Sequence, residues 1–198
     1  MSLRIVRRVV LIACAMHATA ATAWEPDAAQ MQQLAARETV VVADVDPSGA
    51  SGRARAAVLI AARPETVYGW MTDCARALTF VPNLVACKVL ETAVDRSTAT
   101  IAHEINYAWF LPRTRYVFLA RYQPPVRVEF KEVSGDLEIN QGSWQLRADK
   151  VGTLLTYEVR IRPKAFVPQW LVRRSLRKDL PELLLALRRV SEAGDEKP

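Results

Sequence analysis

Few residues in this sequence could do chemistry, and histidine is the scarcest of them. Of two histidines, His17 lies in an N-terminal apolar segment, which leaves His103 as the one histidine in the rest of the chain. A zinc site with several histidine ligands is therefore excluded there, and no Cys-x-x-Cys pair is present. His103 alternates with Ile101 and Ile105, so we expect it to point into the interior. It is there either a hydrogen-bonded core histidine or a partner for a carbonyl or hydroxyl group of a ligand.

The signatures of nucleophilic catalysis are missing. A Ser-His-Asp triad would have to use His103, but the sequence contains no Gly-x-Ser-x-Gly turn and no glycine-rich phosphate loop. His103, Tyr107 and Glu104 are the few groups that could act as a general acid or base, and Glu104 alternates outward. We therefore expect a protein with no catalytic residue, no metal and no cofactor.

Aromatic and polar side chains are expected around His103. Tyr107 lies on the same side of its strand, where its hydroxyl could contact a ligand or its ring could form part of the wall. Arg113 and Arg115 follow Pro112 near a strand start, and either meet an acidic head group at a cavity mouth or form a solvated strand end. Aromatic residues on an inner face also form ordinary cores. The predicted ligand-binding residues are His103, Tyr107, Trp109, Phe110, Arg115, Phe130, Trp144 and Tyr157.

Cys74 and Cys87 are the two cysteines outside the N-terminal segment. In an oxidising compartment they could form a disulfide, which contributes about 3 kcal/mol in the chain-entropy model. The alternative is two separate, small buried residues. The sequence alone leaves both possibilities open.

These residues must be positioned by a series of strands and one long helix. Short connections between the strands indicate an antiparallel meander, because parallel neighbours need long crossovers. The predicted elements, in chain order, are a helix at 26–37, strands at 39–45 and 53–61 joined by a turn at 46–49, short helices beginning at Pro64 and Ala75, strands at 84–94, 97–107, 113–122, 126–133, 136–147 and 153–162, and a helix at 168–190.

The predicted fold is α+β. It consists of a curved seven-stranded antiparallel sheet wrapped around the long C-terminal helix, with two short helices after the first core strand and an extra strand before it. Asn140 alternates as exposed and Trp144 as buried, which predicts a bulge at Gly142. Pro181 should kink or locally interrupt the last helix, and the polar tail 191–198 should fray.

The N-terminus has the layout of a secretory signal peptide at residues 1–23. Three arginines precede an apolar stretch, and the small residues Ala21-Thr22-Ala23 predict cleavage before Trp24. The alternatives are an uncleaved anchor and lipidation at Cys14. We expect a periplasmic protein. The remainder carries 24 basic and 21 acidic residues, a balance that gives little support to nucleic-acid binding.

A resemblance to a known family rests on six segments, which are Pro64–Asp73, Phe80–Leu84, Cys87–Glu91, Gly142–Leu146, Gly152–Tyr157 and Pro168–Leu187. They resemble START-like helix-grip proteins, in particular the polyketide cyclase-like and coenzyme Q-binding branch. The resemblance covers about residues 53–190, with 24–52 outside the family pattern, and it implies a deep cavity for a lipid, quinone, sterol or polyketide-like ligand.

The resulting expectation is an exported, monomeric binding or carrier protein for a hydrophobic small molecule or lipid. The loops at Leu111-Pro112 and Pro124-Pro125, or the start of the last helix, could open the cavity. Basic residues of that helix, with Phe166, Val167 and Trp170, could touch an anionic membrane, or could simply be the solvated face of a core helix. The alternatives are a cyclase or aromatase-like enzyme using the same cavity and a non-binding accessory protein of an envelope complex.

Overall fold

A computed structural model describes residues 24–46, 51–164 and 169–195 of the chain. Several predictions concern residues outside these ranges. They are the signal peptide with Cys14, the turn at 47–49, the contacts of Phe166 and Val167, the helix start at Pro168 and the last three residues of the tail.

Helices and strands follow one another largely in the predicted order. The helices are α1 (Ala28–Ala35), α2 (Pro64–Met71), α3 (Cys74–Phe80), α4 (Gln169–Arg174) and α5 (Leu180–Asp195), with a π-helical turn, Ser175–Asp179, between the last two. The strands are β1 (Val40–Val45), β2 (Gly52–Ile60), β3 (Leu84–Thr92), β4 (Thr98–Ile105), β5 (Thr114–Gln123), β6 (Arg127–Gly135), β7 (Leu137–Ala148) and β8 (Thr153–Pro163).

The sheet has eight strands rather than the seven that we predicted. Its order is β1-β2-β8-β7-β6-β5-β4-β3, and every neighbouring pair is antiparallel. The strand predicted as an extra one pairs with β2 over its whole length, from Val40 opposite Ala57 to Val45 opposite Gly52. Because this pairing is continuous, β1 is a full edge strand of the sheet.

The main core lies between the inner face of the sheet and the C-terminal helix. Val58 and Leu155 of the sheet pack there against Leu184 and Leu187 of α5, and all four side chains are buried. The helix is held at its end as well, because Glu192 accepts hydrogen bonds from the Ala61 amide and the Arg37 guanidinium. The helix therefore extends to Asp195, into the segment that we predicted to fray.

The α-helical pattern is interrupted locally just before Pro181, which is one of the two outcomes predicted for this proline. The helix widens there into the π-helical turn, and the N–H of Leu180 donates to the carbonyl of Ser175. Proline lacks an N–H and its ring clashes with the carbonyl four residues earlier, so a local wider turn accommodates it. In the described residues, none of the helices has the length and apolar character needed to cross a membrane.

The predicted bulge at Gly142 is not found. Pairing between β7 and β8 is regular from Asn140 to Ala148, and Asn140 is buried on the inner face. A Cβ atom at Gly142 would collide with the main-chain oxygen of Glu158 and the ring of Phe130. Glycine is therefore required for close approach of the strands, and the residues on either side keep their normal alternation.

Candidate ligand-binding cavity

The space between the sheet and the terminal helix is not completely filled by side chains. An inner chamber of about 180 Å³ lies beneath α2 and α3, and an outer chamber of about 510 Å³ lies beside α4 and the π-helical turn. Tyr116 lines both chambers and forms the wall between them. The outer chamber is within the size range of small-molecule sites, about 300–1,000 Å³.

The inner chamber has an aromatic wall. The rings of Trp144 and Tyr157 stack with centroids 3.8 Å apart, and the rings of Phe130 and Tyr157 stack with centroids 6.0 Å apart. These three residues lie on β6, β7 and β8, and each was predicted to line the cavity. Leu183 and Leu187 of α5 form the opposite wall. Alternation along the strands places the aromatic side chains on one face.

A disulfide joins Cys74 at the start of α3 to Cys87 on β3, and both residues line the inner chamber. Their Cα atoms are 5.5 Å apart, a usual separation for such a bond. The Asp73 side chain caps the start of α3 by accepting from the amides of Ala75 and Arg76. The bond and the cap together fix α3 over the inner chamber.

His103 forms a neutral polar pair with Tyr116 in the inner chamber. The two residues are direct register partners on β4 and β5, and Nδ1 of His103 lies 3.3 Å from the Tyr116 hydroxyl oxygen. Burial lowers the pKa of His103 to about 4, and burial raises the pKa of Tyr116 well above its usual value. Both groups are therefore uncharged near neutral pH. Each can donate a hydrogen bond to a carbonyl or hydroxyl oxygen of a ligand, or accept one from a hydroxyl group.

Glu132 is an interior carboxyl group that sequence reasoning missed. Its residue is half-buried, and both carboxyl oxygens are shielded from solvent without a hydrogen bond of good geometry to any described residue. Burial raises its pKa to about 7, although nearby Asn140 and Lys164 oppose the rise. The alternation of Val128 and Phe130 continues to Glu132 and could have identified it.

Tyr107 lines the outer chamber, and its position inside the fold was predicted. Other polar groups lie near it. Burial, followed by the nearby Asp179 carboxylate, raises the pKa of the Tyr107 phenol. The Ser175 hydroxyl donates to Oδ2 of Asp179 at 3.1 Å, and both of these residues lie on the π-helical turn. Burial also raises the pKa of Asp179, so a second carboxyl group that is harder to ionise lies close to Tyr107 and Ser175.

The predicted inner-wall positions of Trp109 and Phe110 are not observed. Trp109 is 92% exposed and Phe110 59% exposed, and their rings pack edge to face on each other. The reason is that β4 ends at Ile105, so strand alternation no longer applies to the loop that follows. The loop nevertheless reaches the cavity, because Leu111 and Pro112 line the outer chamber.

Arg115 lies at the rim of the outer chamber. Its Nε donates to Oε2 of Glu104 at 3.0 Å, and Arg113 donates to Oε1 of the same carboxylate at 2.7 Å. Both hydrogen bonds lower the pKa of Glu104, and the one from Arg115 has the larger effect. The arginines are therefore paired on the outer surface, and Glu104 is directed outward, as alternation predicted.

Residues 60–188 match a family model described as polyketide cyclase/dehydrase and lipid transport. The chain belongs to this family. Because its description covers both enzymes and lipid transport proteins, membership indicates a hydrophobic ligand-binding domain and leaves the reaction or cargo open. Among curated proteins, no match to the sequence was found.

Solved structures show the same fold at low sequence identity. A STAR-related lipid transfer protein from Xanthomonas axonopodis superposes with a TM-score of 0.65 at 18% identity, over 77% of this chain and 93% of that one. Human STARD10 gives 0.64 at 12% identity, over 77% and 69% of the two chains. The Zhui aromatase/cyclase from a Streptomyces species gives 0.59 at 12% identity, over 78% and 94%. The architecture is therefore that of START-like helix-grip proteins.

Proposed function

We propose that this protein is a carrier that encloses a hydrophobic small molecule or lipid between its sheet and its terminal helix. The observation that carries the proposal is the pair of chambers. The inner one has aromatic and aliphatic walls with the uncharged pair His103 and Tyr116, and the outer one combines aliphatic side chains with charged residues. Burying apolar ligand surface contributes about 25 cal/mol per Å². A quinone, a sterol or a polyketide-like molecule has the matching chemistry, an apolar body with hydroxyl or carbonyl groups.

His103 and Tyr116 are the proposed orienting groups for that ligand. They are the hydrogen-bonding pair at the wall between the chambers, so a ligand that occupies both must pass them. Because neither group is charged near neutral pH, they can bind a neutral oxygen without the large cost of burying an ion. Charged head groups would have to remain in the outer chamber or at its rim.

Ligand exchange is proposed to occur at the outer chamber, beside an anionic membrane. Trp109 and Phe110 project from the loop that borders this chamber, and Trp170 on α4 is 48% exposed. Exposed aromatic rings of this kind enter the interfacial layer of a bilayer. The exposed Arg173 of α4 and Arg177 of the π-helical turn can attract anionic lipid. The carrier would therefore receive or release its ligand through this loop.

Export with cleavage before Trp24 is part of the proposal. The main-chain N–H of Trp24 donates to Oε1 of Glu158 at 3.0 Å. Cleavage at this position would convert that nitrogen into an α-ammonium group, and the contact would become a stronger, charge-assisted hydrogen bond. This geometry supports the cleavage site. The intact mass of the exported protein tests it, and a mature chain that begins at Cys14 would contradict it.

Native mass spectrometry of protein purified from its own host tests the carrier proposal. We expect a bound hydrophobic molecule that is released unchanged. Ala120→Leu adds a larger side chain to the inner chamber and should reduce occupancy, whereas Ala102→Leu adds the same group on the outer face of β4 and should not. Protein that remains empty after incubation with a lipid extract of the host, for wild type and both variants, would refute the carrier.

A cyclase-like enzyme is the second candidate, and Glu132 is the observation that favours it. A carboxyl group with a pKa of about 7 is suited to donate and accept protons at neutral pH. Glu132 lies near Tyr116, since its charge is one of the influences that raise the pKa of that phenol. Conversion of a linear poly-β-ketone mimic into a cyclic product, lost in Glu132→Gln, would establish the enzyme and displace the carrier.

A further inference from the structure

The outer face of the sheet carries a second concave site, separate from the ligand cavity. A groove of about 610 Å³ crosses β2, β8, β7, β6 and β5 on the side opposite the terminal helix. In contrast to the chambers, the side chains at its surface are mainly charged. The cationic members are Arg53, Arg55, Arg121, Lys131 and Arg160, and the anionic members are Glu129 and Glu158.

Strand register arranges three of these cations in one row. Arg53 on β2 is directly opposite Arg160 on β8, which is opposite Gln141 on β7, which in turn is opposite Lys131 on β6. Adjacent strands lie about 4.8 Å apart, so Lys131 is about 10 Å from Arg160 across the row. We call Arg53, Arg160, Gln141 and Lys131 the basic row.

Both carboxylates of the groove already have partners outside the basic row. Glu158 pairs with Arg55 at 3.5 Å and accepts from the Trp24 amide, and Glu129 pairs with Arg127 at 2.8 Å. Within residues 24–46, 51–164 and 169–195, none of the three cations of the basic row has an ion-pair partner.

Without a bound anion, the repulsion between the cations of the basic row destabilises the sheet. Like charges directly opposite each other on neighbouring strands, as at Arg53 and Arg160, destabilise the pairing. Asp44 lies opposite Arg53 on β1, but it forms no ion pair with it. An anion bound between the cations would convert this repulsion into attraction.

We propose that the basic row binds a molecule that carries at least two phosphate groups. The arginine guanidinium presents a planar fork that matches phosphate oxygens in a bidentate manner. One phosphate would lie between Arg53 and Arg160, and a second would reach Lys131, with the Gln141 amide between them as a neutral donor. The inner chamber, with its aromatic and aliphatic walls, could not hold such an anion without stranding its charge.

Calorimetric titration with pyrophosphate at physiological ionic strength tests the proposal. We expect saturable binding to wild type that becomes at least about tenfold weaker in Arg160→Gln. Arg189→Gln, which removes an exposed arginine on α5, should bind as wild type does. Absence of saturable binding to wild type, or equal weakening in both variants, would overturn the proposal.

Thermal unfolding separates a binding role from a structural one. Without pyrophosphate, Arg160→Gln should unfold at the wild-type temperature or slightly above it, because a repulsive pair has been removed. With pyrophosphate, wild type should be stabilised and Arg160→Gln should not. A variant that is destabilised without pyrophosphate, yet still stabilised by it as much as wild type, would refute the assignment.

Vesicles of cardiolipin, a lipid whose head group carries two phosphates, distinguish the source of the phosphates once pyrophosphate binding has been established. Weaker vesicle binding by Arg160→Gln than by Arg189→Gln would assign the site to lipid head groups. Vesicle binding that is unchanged in Arg160→Gln would assign the site to a free phosphorylated molecule. In either case the carrier proposal is tested separately, since the basic row and the chambers share no cationic residue.

Discussion

The two faces of the sheet differ in chemistry although alternate residues of the same strands build them. On β6, Phe130 faces the chambers and Lys131 faces the groove, and on β8, Tyr157 and Arg160 are divided in the same way. The inner face is aromatic with neutral polar groups, whereas the outer face carries rows of charge. A single register therefore specifies two surfaces that suit two opposite kinds of ligand.

This difference shows why the curvature of the sheet matters. The inner face packs on the terminal helix and leaves two partly open chambers, while the outer face forms a more open groove. Burial can raise or lower pKa values on the inner face, as it does for His103 and Glu132. Charged groups on the outer face remain solvated. Changes to the inner face should therefore alter ligand binding in the cavity without altering pyrophosphate binding.

The strongest test of the division is Gly142→Ala. The added methyl group would collide with the Glu158 carbonyl and the Phe130 ring, so we expect the free energy of unfolding to fall by about 3 kcal/mol. The control is Gly69→Ala, because no atom lies within 4 Å of the added methyl group and α2 should gain about 1 kcal/mol. Denaturant titration measures both changes. Equal stability of the two variants would contradict the close approach at Gly142.

Removal of the disulfide should have a similar, slightly smaller effect. Cys74→Ala combined with Cys87→Ala should lower the free energy of unfolding by about 3 kcal/mol or less, because the closed loop is short. It should also weaken cavity ligands, since the bond fixes α3 over the inner chamber. Pyrophosphate affinity should stay unchanged. Loss of pyrophosphate binding in a variant that remains folded would break the separation of the two faces.

Glu132 predicts a pH dependence of stability on the inner face. Its pKa in the folded protein is about 7, above the ordinary value of 4.5, so folding favours the protonated form. Stability from this group is complete below the unfolded-state pKa and is lost as the pH rises through about 7. Glu132→Gln should abolish this loss. Because the residue remains partly exposed, the variant should exceed wild type at pH 8 by only about 1 kcal/mol.

The outer-face carboxylate on the same strand provides the control for that experiment. Glu129→Gln removes an exposed ion pair with Arg127, which should change stability by less than about 1 kcal/mol and retain the wild-type pH dependence. Thermal unfolding between pH 4 and pH 8 measures the stability of wild type, Glu132→Gln and Glu129→Gln. If Glu132→Gln and wild type lost stability in parallel with rising pH, the buried carboxyl would not be the cause.

Trp109→Ser should have the smallest effect on stability. The side chain is almost fully exposed and belongs to neither face of the sheet, so the free energy of unfolding should change by less than about 0.5 kcal/mol. Co-sedimentation with anionic vesicles should nevertheless decrease in this variant. Unchanged vesicle binding would exclude the loop as the membrane contact and would leave the chambers without a proposed route of exchange.

Period-two alternation is why much of the fold could be predicted from the sequence. It placed His103, Phe130, Trp144 and Tyr157 on the inner face, where the structure also has them. The prediction at Trp109 was wrong because the strand ends before that residue. Alternation predicts which face of the sheet a side chain occupies only for residues within a strand.

Contacts between distant strands could not be read from the sequence. The pairing of His103 with Tyr116 and the opposition of Arg53 to Arg160 depend on register, which is set by the complete sheet. Asn140 was assigned to the wrong face because a polar amide was taken as exposed, whereas it lies near the carboxyl group of Glu132. Polar residues on an inner face are the places where composition is a poor guide.

Photocrosslinking with a diazirine-bearing fatty acid, followed by peptide mapping, tests the central claim most directly. Adducts should map to the chamber-lining residues of β5 and α5, among them Phe118 and Leu183, and excess unlabelled lipid should compete with them. Adducts confined to exposed residues such as Trp109 and Phe110, with none on the inner face, would contradict an enclosed ligand.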